Sequence, residues 1–311
     1  MILSFFKRLN IWSKERFPLI NLITAIVMVL STKLFLTSTP LVLWGVADIA
    51  AVLFIYLHFF ILRVLDEHKD FESDKIFYPD RALQKGIIQL QEIRWMGWLA
   101  YGAQVCLVVF VLAKDLQTYI LYALVLTWTF LMFKEFFVGS WLRPRILLYS
   151  TLHLLVSPLM LIFVIQSLTL PLLSVKTGVV LLFSLASGFL FEISRKNKTP
   201  EQDQKGEISF SLAWGQGTTA LVIFNLSCLN SLLMILICLQ AGISQWATIL
   251  LAIPSSLLNM FHQKRLRSFA NTPSLAFLKK AQDLSGLVSI YTYLAPLIYL
   301  ALLHQHGWIS Q

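Results

Sequence analysis

The sequence has little charge, few acids and few cysteines. Asp and Glu account for only 16 of its 311 residues, and charged residues together make up 13% of the chain. The three cysteines, Cys106, Cys228 and Cys238, lie inside apolar stretches without paired spacing, which argues against a disulfide framework or a zinc site. No low-complexity tract or long polar linker is present, so nothing indicates a separate soluble domain.

Long apolar stretches take up most of the chain. Hydrophobic residues make up 57% of it, and its mean hydropathy is +0.73. A transmembrane helix needs roughly 17–25 predominantly apolar residues. We interpret nine stretches as such helices, at about 17–36, 40–64, 95–113, 117–138, 146–166, 171–192, 217–241, 245–262 and 285–303. The sequence therefore predicts an all-α polytopic membrane protein, with residues 1–311 forming a single transmembrane domain.

The basic residues predict the orientation. If the nine spans are right, 22 of the 25 Lys and Arg lie on one side, and only Lys33, Lys114 and Lys176 lie on the other. Lys and Arg accumulate in cytoplasmic loops. We therefore expect an integral protein of a bacterial-type inner or plasma membrane, with a cytoplasmic N-terminus, cytoplasmic polar loops and a C-terminus on the opposite side. Because the bases flank apolar spans, they do not indicate nucleic-acid binding.

The N-terminal segment is predicted to form an interfacial helix over about 1–16. It carries several Lys and Arg residues and lacks the small-residue cleavage pattern of a signal peptide. Phe5, Phe6, Leu9 and Trp12 suit an amphipathic helix. We expect this helix to lie on the inner leaflet of the membrane.

A row of acids follows the second apolar stretch. Asp66, Asp70 and Asp74 recur every four residues, so on a helix they turn by only about 40° per step and line one face. Glu67 and Arg63 fall within the same arc. Stacked like charges repel each other and do not help a solvated helix. The row is therefore better suited to holding Mg²⁺ and a polyanion at a membrane surface.

Two polar loops, about 63–94 and 192–216, carry both signs of charge. Each directly follows an apolar span, starts with an acidic residue at the helix exit, and ends with a glycine-containing turn. Four predicted spans separate them, which amounts to a weak internal repeat. Such a repeat is expected when two helical halves face each other. We therefore predict nine helices around a central cavity, with both loops meeting over one site.

Both loops carry bases suited to gripping phosphate oxygens. In the first loop, Arg81 and Lys85 lie four residues apart. The second loop begins with a single acid, Glu192, and three bases follow it. These bases are Arg195, Lys196 and Lys198.

The first loop resembles the first motif of the UbiA superfamily of intramembrane prenyltransferases. Members carry N-D-x-x-D-x-x-x-D, followed by an arginine in a short turn. This chain has Asp66-Glu67-x-x-Asp70-x-x-x-Asp74, and Arg81 follows. The resemblance covers essentially the whole chain, because nine spans with motifs after the second and sixth are also the family pattern.

The second loop departs from the family pattern D-x-x-x-D. Alignment on Gly206 places Lys198 and Gln202 at the two aspartates, whereas alignment on the helix exit places Glu192 and Lys196 there. One acid or both are missing in either alignment. The chain therefore resembles a divergent branch of the family.

The resemblance implies a Mg²⁺-dependent prenyltransferase. Such an enzyme moves a prenyl group from an isoprenoid diphosphate to an aromatic or other lipophilic acceptor and releases diphosphate. It implies Asp66, Asp70 and Asp74 as catalytic acids, with Glu67 and Glu192 as further Mg²⁺ ligands. We expect phosphate contacts from bases of both loops, namely Arg81, Lys85, Arg195, Lys196 and Lys198. Because a base replaces an acid in the second loop, we expect an asymmetric site with the metal held mostly by the first.

A second class of function stays open. A divergent non-catalytic protein or a divalent-cation transporter could use the same scaffold, and mixed-charge loops are often only solvated. A transporter should carry ionisable residues at the midplane of several spans. Almost all acids of this chain lie in predicted cytoplasmic loops, which favours the enzyme.

A few ionisable residues lie within or at the ends of predicted spans. Asp48, near the outer end of the second span, either serves a function or faces water. We interpret His58 and His153 as hydrogen-bonded packing residues. Lys134 and Glu135, at the end of the fourth span, form either an ion pair bordering the cavity or an interfacial pair, and we favour the interfacial pair.

Overall fold

A computed structural model describes residues 4–37, 45–203 and 208–305. Within these ranges the chain forms helices and no strand, which confirms the all-α fold class. A π-helical turn (Val108–Leu112) extends the fifth helix, and a 3₁₀ turn (Glu135–Phe137) follows the sixth. The α-helices are α1 (Phe5–Arg16), α2 (Ile20–Thr37), α3 (Val46–Lys69), α4 (Phe71–Phe77), α5 (Leu90–Leu107), α6 (Leu116–Phe133), α7 (Gly139–Leu142), α8 (Ile146–Leu154), α9 (Val156–Ser167), α10 (Val175–Arg195), α11 (Pro200–Asp203), α12 (Phe210–Trp214), α13 (Gln216–Gln240), α14 (Gln245–Asn271) and α15 (Leu275–Gln305).

The described residues form two compact units. The first takes its residues from Met1–Val29 and Trp44–Phe136, and the second from Leu30–Leu43 and Phe137–Gln311. The first unit therefore contains α1 and α3 to α6, and the second contains α7 to α15. The helix α2 contributes residues to both.

Within the described ranges, seven helical segments are long and apolar enough to cross a membrane. They are α2, α3, α5 with its π turn, α6, α8 with α9, α10 and α13. Helices suit this setting because they satisfy their backbone hydrogen bonds internally. The seven segments correspond to the first seven predicted spans. The last two predicted spans lie within α14 and α15, which have 27 and 31 residues, and the count of nine stays a prediction.

The fifth span is broken between α8 and α9. The pattern predicts one helix over 146–166, whereas the structure interrupts it at Leu155. Pro158 explains the break, because proline has no amide N–H to donate to the Leu154 carbonyl and its ring crowds that carbonyl. The span keeps its length across this interruption.

The first unit is built on close packing of α3 against α5. A Cβ atom added to Gly97 would lie 2.7 Å from Val64 Cγ1, so glycine at this position lets the two helices approach. Gly102, on the same helix, would meet no atom within 4 Å if it carried a Cβ. The close approach therefore depends on one glycine of α5 and not on the other.

Buried hydrogen bonds also join α3 to α5 and α6. Gln104 Nε2 donates to the Phe54 carbonyl at 3.1 Å and lies 3.2 Å from His58 Nδ1. His58 Nε2 lies 3.0 Å from the Thr129 hydroxyl, which itself donates to the Val125 carbonyl. This arrangement assigns His58 the tautomer protonated at Nε2. It agrees with His58 as a packing residue.

The N-terminal helix α1 packs into the first unit. Trp12 is fully buried, and its ring meets Phe60 edge-on at 5.9 Å between centroids. Phe17 lies 5.1 Å from the rings of both Tyr56 and Phe60. Phe6 is exposed. Part of the apolar face that predicted membrane contact is thus covered by protein, and contact of the helix with the inner leaflet stays a prediction.

In the second unit, buried polar side chains join α10, α13, α14 and α15. His262 is fully buried, with Nε2 2.9 Å from Ser285 Oγ and Nδ1 3.2 Å from Ser227 Oγ. Ser227 donates to Asn259 Oδ1 at 2.5 Å, and Ser194 donates to Ser285 at 2.8 Å. Such bonds hold membrane helices together, because an unsatisfied polar group in an apolar setting is costly.

We expect Gly97→Ala to lower the stability of the protein, because its Cβ would overlap Val64 in the α3–α5 contact. Overpacking of this kind costs about 1–3 kcal/mol. Thermal unfolding in detergent measures the effect, and Gly102→Ala is the matched control, expected to leave the melting temperature unchanged or slightly raised. Equal melting temperatures for both variants would contradict the close α3–α5 packing.

Candidate functional site

The acidic row lies where α3 ends and α4 begins. Asp66 is in the last turn of α3, Asp70 joins the two helices, and Asp74 is in α4. The amides of Asp70 and Asp74 donate to the carbonyls of Asp66 and Asp70, each at 2.8 Å. The helical spacing therefore continues through Asp74, although α3 itself stops at Lys69. The helix α4 ends before Pro79, which disfavours helical geometry in the residue preceding it.

The three aspartates differ in their surroundings. Asp66 is the most open, with 42% of its side chain exposed, and lies 3.3 Å from Lys69 Nζ. Asp74 is buried and accepts a hydrogen bond from the Arg81 guanidinium. Asp70 is half-buried, and in the described part of the chain its carboxylate makes no ion pair. The row thus contains an exposed carboxylate paired with Lys69 and Arg63, a buried one paired with Arg81, and Asp70, which has no such pair among the described residues.

The pKa of the Asp70 carboxyl is raised from 3.8 to about 6. Burial is the largest cause; Lys69 opposes it, and the negative charges of Asp66, Asp74 and Glu135 add to it. Burial therefore dominates the shift, and the three neighbouring carboxylates act in the same direction. A divalent cation would oppose both effects.

Glu135 adds a carboxylate to the surroundings of Asp70. It is buried, and it starts a turn in which Glu135, Phe136 and Phe137 all have positive φ, at 49°, 55° and 58°. Non-glycine residues in this region are strained by about 1–3 kcal/mol each. The left-handed turn after α6 buries Glu135, and its interfacial pairing with Lys134 stays a prediction. Its electrostatic effect on Asp70 brings it into the candidate site.

Glu67 is held by the N-terminal helix. Its side chain is 1% exposed, and its Oε1 accepts a hydrogen bond from Arg16 Nε at 2.5 Å. Arg16 Nη2 also lies 3.9 Å from Asp74 Oδ2. Three of the four acids predicted as metal ligands in the first loop are thus paired with arginines: Glu67 with Arg16 and Asp74 with Arg81 at buried positions, and Asp66 with Arg63 at 3.9 Å at a more exposed one. Their roles as ligands stay predictions.

The two bases predicted for the first loop are placed differently. Arg81 pairs with Asp74 and lies over the ring of Tyr78, 3.6 Å from its centroid. Lys85 is exposed, with Nζ 2.9 Å from Asp80 Oδ1, and its hydrogen bond lowers the pKa of the Asp80 carboxyl. Arg81 is therefore fixed close to the acids, whereas Lys85 faces solvent.

In the second loop, one acid holds two bases. Glu192 lies in the last turn of α10, 2.7 Å from Arg195 Nη2 and 2.9 Å from Lys196 Nζ. The Lys196 ammonium also lies 5.2 Å from the centroid of the Tyr149 ring. One negative and two positive charges leave this cluster with a net positive charge, which suits an anion better than a metal ion.

The rest of the second loop is organised around Lys198. Its amide donates to Ser211 Oγ at 2.9 Å, and its carbonyl accepts from Gln216 Nε2 at 2.6 Å. Asp203 accepts hydrogen bonds from Ser209 at 2.5 Å and Ser211 at 3.3 Å, so this acid braces the loop. Gly206, used in one alignment, lies outside the described residues. The two loops belong to different units, and their meeting over one site stays a prediction.

Among the described residues, no three Asp, Glu, His or Cys side chains are grouped tightly enough to hold a metal ion. The chemistry of the first loop nonetheless fits Mg²⁺, which takes one or two carboxylates together with phosphate oxygens and retained waters. Asp66 and Asp70 offer such carboxylates. Burial and the neighbouring carboxylates both raise the pKa of Asp70, and a bound cation would offset both effects.

Three residues near the site were not predicted: Arg16, Glu135 and Tyr149. Arg16 reaches Glu67 across 51 residues, and no local pattern encodes that contact. The sequence shows Glu135 as an acid at the end of an apolar span, but it does not indicate the left-handed turn that buries this residue. Tyr149 was one aromatic residue among many in the spans.

Comparison with known proteins supports the fold. A digeranylgeranylglyceryl phosphate synthase matches with a TM-score of 0.62 and 16% identity, covering 95% of this chain and 99% of the other. A UbiA homologue from Aeropyrum pernix K1, solved in its apo form, matches with a TM-score of 0.59 and 13% identity, covering 89% and 98%. No protein-family model and no curated protein matches the chain. The resemblance to the UbiA superfamily is thus confirmed at the level of the fold.

We expect Asp70→Asn to change the pH dependence of stability in the absence of divalent cations. The folded protein binds the Asp70 proton more tightly than the unfolded chain does, with pKa values of about 6 and 3.8. Its stability should therefore fall as the pH rises from about 4 through about 6, and then level off. Removing this titration should stabilise the protein near pH 7 by up to about 3 kcal/mol, at about 1.4 kcal/mol per pKa unit.

Thermal unfolding in detergent across this pH range measures the effect. Asp70→Glu is the control, since it keeps a titrating carboxyl at the same position. A wild type and an Asp70→Asn variant with parallel pH profiles would contradict the accumulation of negative charge at Asp70.

Proposed function

We propose that the protein is a membrane-embedded, Mg²⁺-dependent prenyltransferase. It transfers a prenyl group from an isoprenoid diphosphate to an aromatic or other lipophilic acceptor and releases diphosphate. The observation that carries the proposal is the row of acids at the end of a membrane-spanning helix, within a chain that has the UbiA fold. Seven apolar helices support an integral membrane protein, and the distribution of bases supports a cytoplasmic position for both loops.

Asp66 and Asp70 are the best candidates for holding the metal, since Asp66 is the most open acid of the row and Asp70 is uncompensated. When bound, Mg²⁺ would neutralise charge on the diphosphate and make it a better leaving group. Asp74 orients Arg81, whose planar guanidinium can contact phosphate oxygens with two N–H groups. The solvent-exposed side chain of Lys85 supplies a further positive charge.

The second loop is assigned to the diphosphate. Glu192 keeps Arg195 and Lys196 close together, and Lys198 follows on the same loop. Glu192 forms ion pairs with both Arg195 and Lys196. We therefore assign it the role of positioning these two bases, although the sequence pattern predicts it as a metal ligand. The resulting positive charge favours binding of phosphate oxygens and stabilises negative charge on the departing diphosphate.

The reaction we propose breaks the bond between the prenyl carbon and the diphosphate oxygen. The bonding electrons leave with the diphosphate, which gives an allylic carbocation. The acceptor supplies an electron pair to form the new carbon bond and then loses a proton. An apolar site suits this sequence, because it excludes water that would otherwise capture the carbocation.

We expect Asp70→Ala to reduce Mg²⁺-dependent diphosphate release by at least about a hundredfold, since a carboxylate that holds the metal is lost. The purified protein is tested with a panel of prenyl diphosphates and acceptors, with and without Mg²⁺. Glu72→Gln is the matched control, because Glu72 is an exposed acid two residues away that pairs with Lys75. Unaltered release in Asp70→Ala contradicts the proposal. Divalent-ion uptake into proteoliposomes without diphosphate release would instead favour transport.

We expect Lys196→Ala to weaken binding of a prenyl diphosphate even without Mg²⁺, because it removes a positive charge from the second loop. The loss should be about tenfold, equivalent to about 1.4 kcal/mol. Equilibrium binding in Mg²⁺-free buffer is the measurement. Lys75→Ala is the control, since Lys75 is a base that pairs with Glu72 outside the proposed site. Binding unchanged by Lys196→Ala would remove the second loop from the diphosphate site.

A further inference from the structure

The end of α1 contacts the acidic row. Arg16 Nε lies 2.5 Å from Glu67 Oε1, and Arg16 Nη2 lies 3.9 Å from Asp74 Oδ2. The neighbouring Glu15 accepts a hydrogen bond from the Ala82 amide at 2.9 Å. One helix end therefore holds the exit of α3, the helix α4 and the turn that follows it.

Charges alternate in sign along these contacts. Glu15 Oε1 lies 4.0 Å from Arg81 Nε, Arg81 pairs with Asp74, and Arg16 joins Asp74 to Glu67. Two guanidinium groups are thus shared among three carboxylates, and each carboxylate has an arginine partner. Planar guanidinium groups that bridge carboxylates restrict the orientation of the carboxylates and also balance their negative charge.

The position of Arg16 is fixed by the rest of α1. Trp12 is fully buried against Phe60, one turn before Arg16. Nearer the start of the helix, Arg8 forms two hydrogen bonds with Glu92, each 2.6 Å long. Arg16 is therefore carried by a docked helix and not by a free N-terminal tail.

Glu67 depends on Arg16 for its charge balance. It is 1% exposed, and in the described part of the chain its second oxygen, Oε2, is buried without a hydrogen-bond partner. Removal of Arg16 would leave a buried carboxylate without its cation, which is strongly unfavourable. Because Glu67 directly follows Asp66 in the last turn of α3, a shift of the backbone at Glu67 also moves Asp66.

We infer that Arg16 is a positioning residue of the proposed metal site. It holds Glu67 and Asp74 as structural carboxylates, which leaves Asp66 and Asp70 to bind the metal. The inference rests on the proposed function for the presence of that metal. It departs from the sequence pattern, in which all four acids count as ligands.

Glu67→Gln separates the two roles of this acid. Binding of Mn²⁺, as a paramagnetic substitute for Mg²⁺, is measured by electron paramagnetic resonance on the full chain in detergent. If Glu67 is structural, Glu67→Gln should bind Mn²⁺ within about threefold of the wild type, whereas Asp70→Ala should weaken binding by about tenfold or more. Equal losses in the two variants would make Glu67 a metal ligand and overturn the inference.

Arg16→Met tests the positioning role directly. We expect it to weaken Mn²⁺ binding by about tenfold or more, because the unpaired Glu67 carboxylate disturbs the end of α3. The double variant Arg16→Met/Glu67→Gln removes both charges, and should return binding to within about threefold of the wild type. Arg16→Lys keeps the positive charge and should bind better than Arg16→Met. Loss of binding that Glu67→Gln does not rescue would overturn the inference.

Arg8→Gln is the matched control on the same helix. It breaks the Arg8–Glu92 ion pair, which also anchors α1 but has no contact with the acidic row among the described residues. We expect a lower melting temperature with unchanged Mn²⁺ affinity. A similar loss of affinity in Arg8→Gln would mean that any loosening of α1 weakens the metal site, and Arg16 would have no specific role.

The inference and the proposed function can fail separately. Mn²⁺ binding that responds to Arg16→Met and is rescued by Glu67→Gln supports the inference, even if no prenyl diphosphate is consumed. Diphosphate release that depends on Asp70, with Mn²⁺ binding indifferent to Arg16→Met, supports the function and overturns the inference. Absence of Mn²⁺ binding by the wild type overturns both.

Discussion

Pairing of buried charge is the constraint on which the candidate site depends. Taking an ion out of water costs several kcal/mol unless a partner offsets it. Glu67 and Asp74 have such partners in Arg16 and Arg81, so their charges are balanced within the protein. Asp70 has no equivalent partner in the described part of the chain, and burial, together with the neighbouring carboxylates, raises its pKa. The position that the protein leaves unbalanced is therefore the one that a metal ion would complete.

The turn after α6 adds to this imbalance at a cost in backbone strain. Three consecutive non-glycine residues, Glu135 to Phe137, adopt left-handed φ values, and the first of them brings a negative charge to bear on Asp70. Strain of this kind persists only where the surrounding structure imposes it, and it is concentrated at functional sites. The strained turn and Asp70 belong to the same unit, and the charge of Glu135 in that turn acts on Asp70. Their coincidence connects the turn with the acidic row.

Local patterns in the sequence account for the features that were predicted. Apolar length predicts the seven spans of α2 to α13, and the spacing of the acids places Asp66, Asp70 and Asp74 in helical register. The rest depends on contacts between distant residues or on backbone geometry. Arg16 contacts Glu67 across 51 residues of sequence. Glu135 is buried by a left-handed turn, Glu135–Phe137, that contains no glycine or proline from which it could be predicted. A pattern of single residues carries neither kind of information.

The two loops differ in the sign of their charge, and this difference bears on how one substrate could be bound. In the first loop and the turn after α6, the carboxylates of Asp66, Asp74 and Glu135 act on Asp70, and a bound cation would offset their charge. In the second, Glu192 is outnumbered by Arg195 and Lys196, so that the cluster attracts an anion. A family pattern with acids in both loops provides carboxylate ligands on both sides of a diphosphate. In this chain the bases of the second loop would contact phosphate oxygens directly, without a metal between them. Under the proposed function, the departure from the family pattern would therefore change how the diphosphate is neutralised, with bases in place of one set of metal ligands.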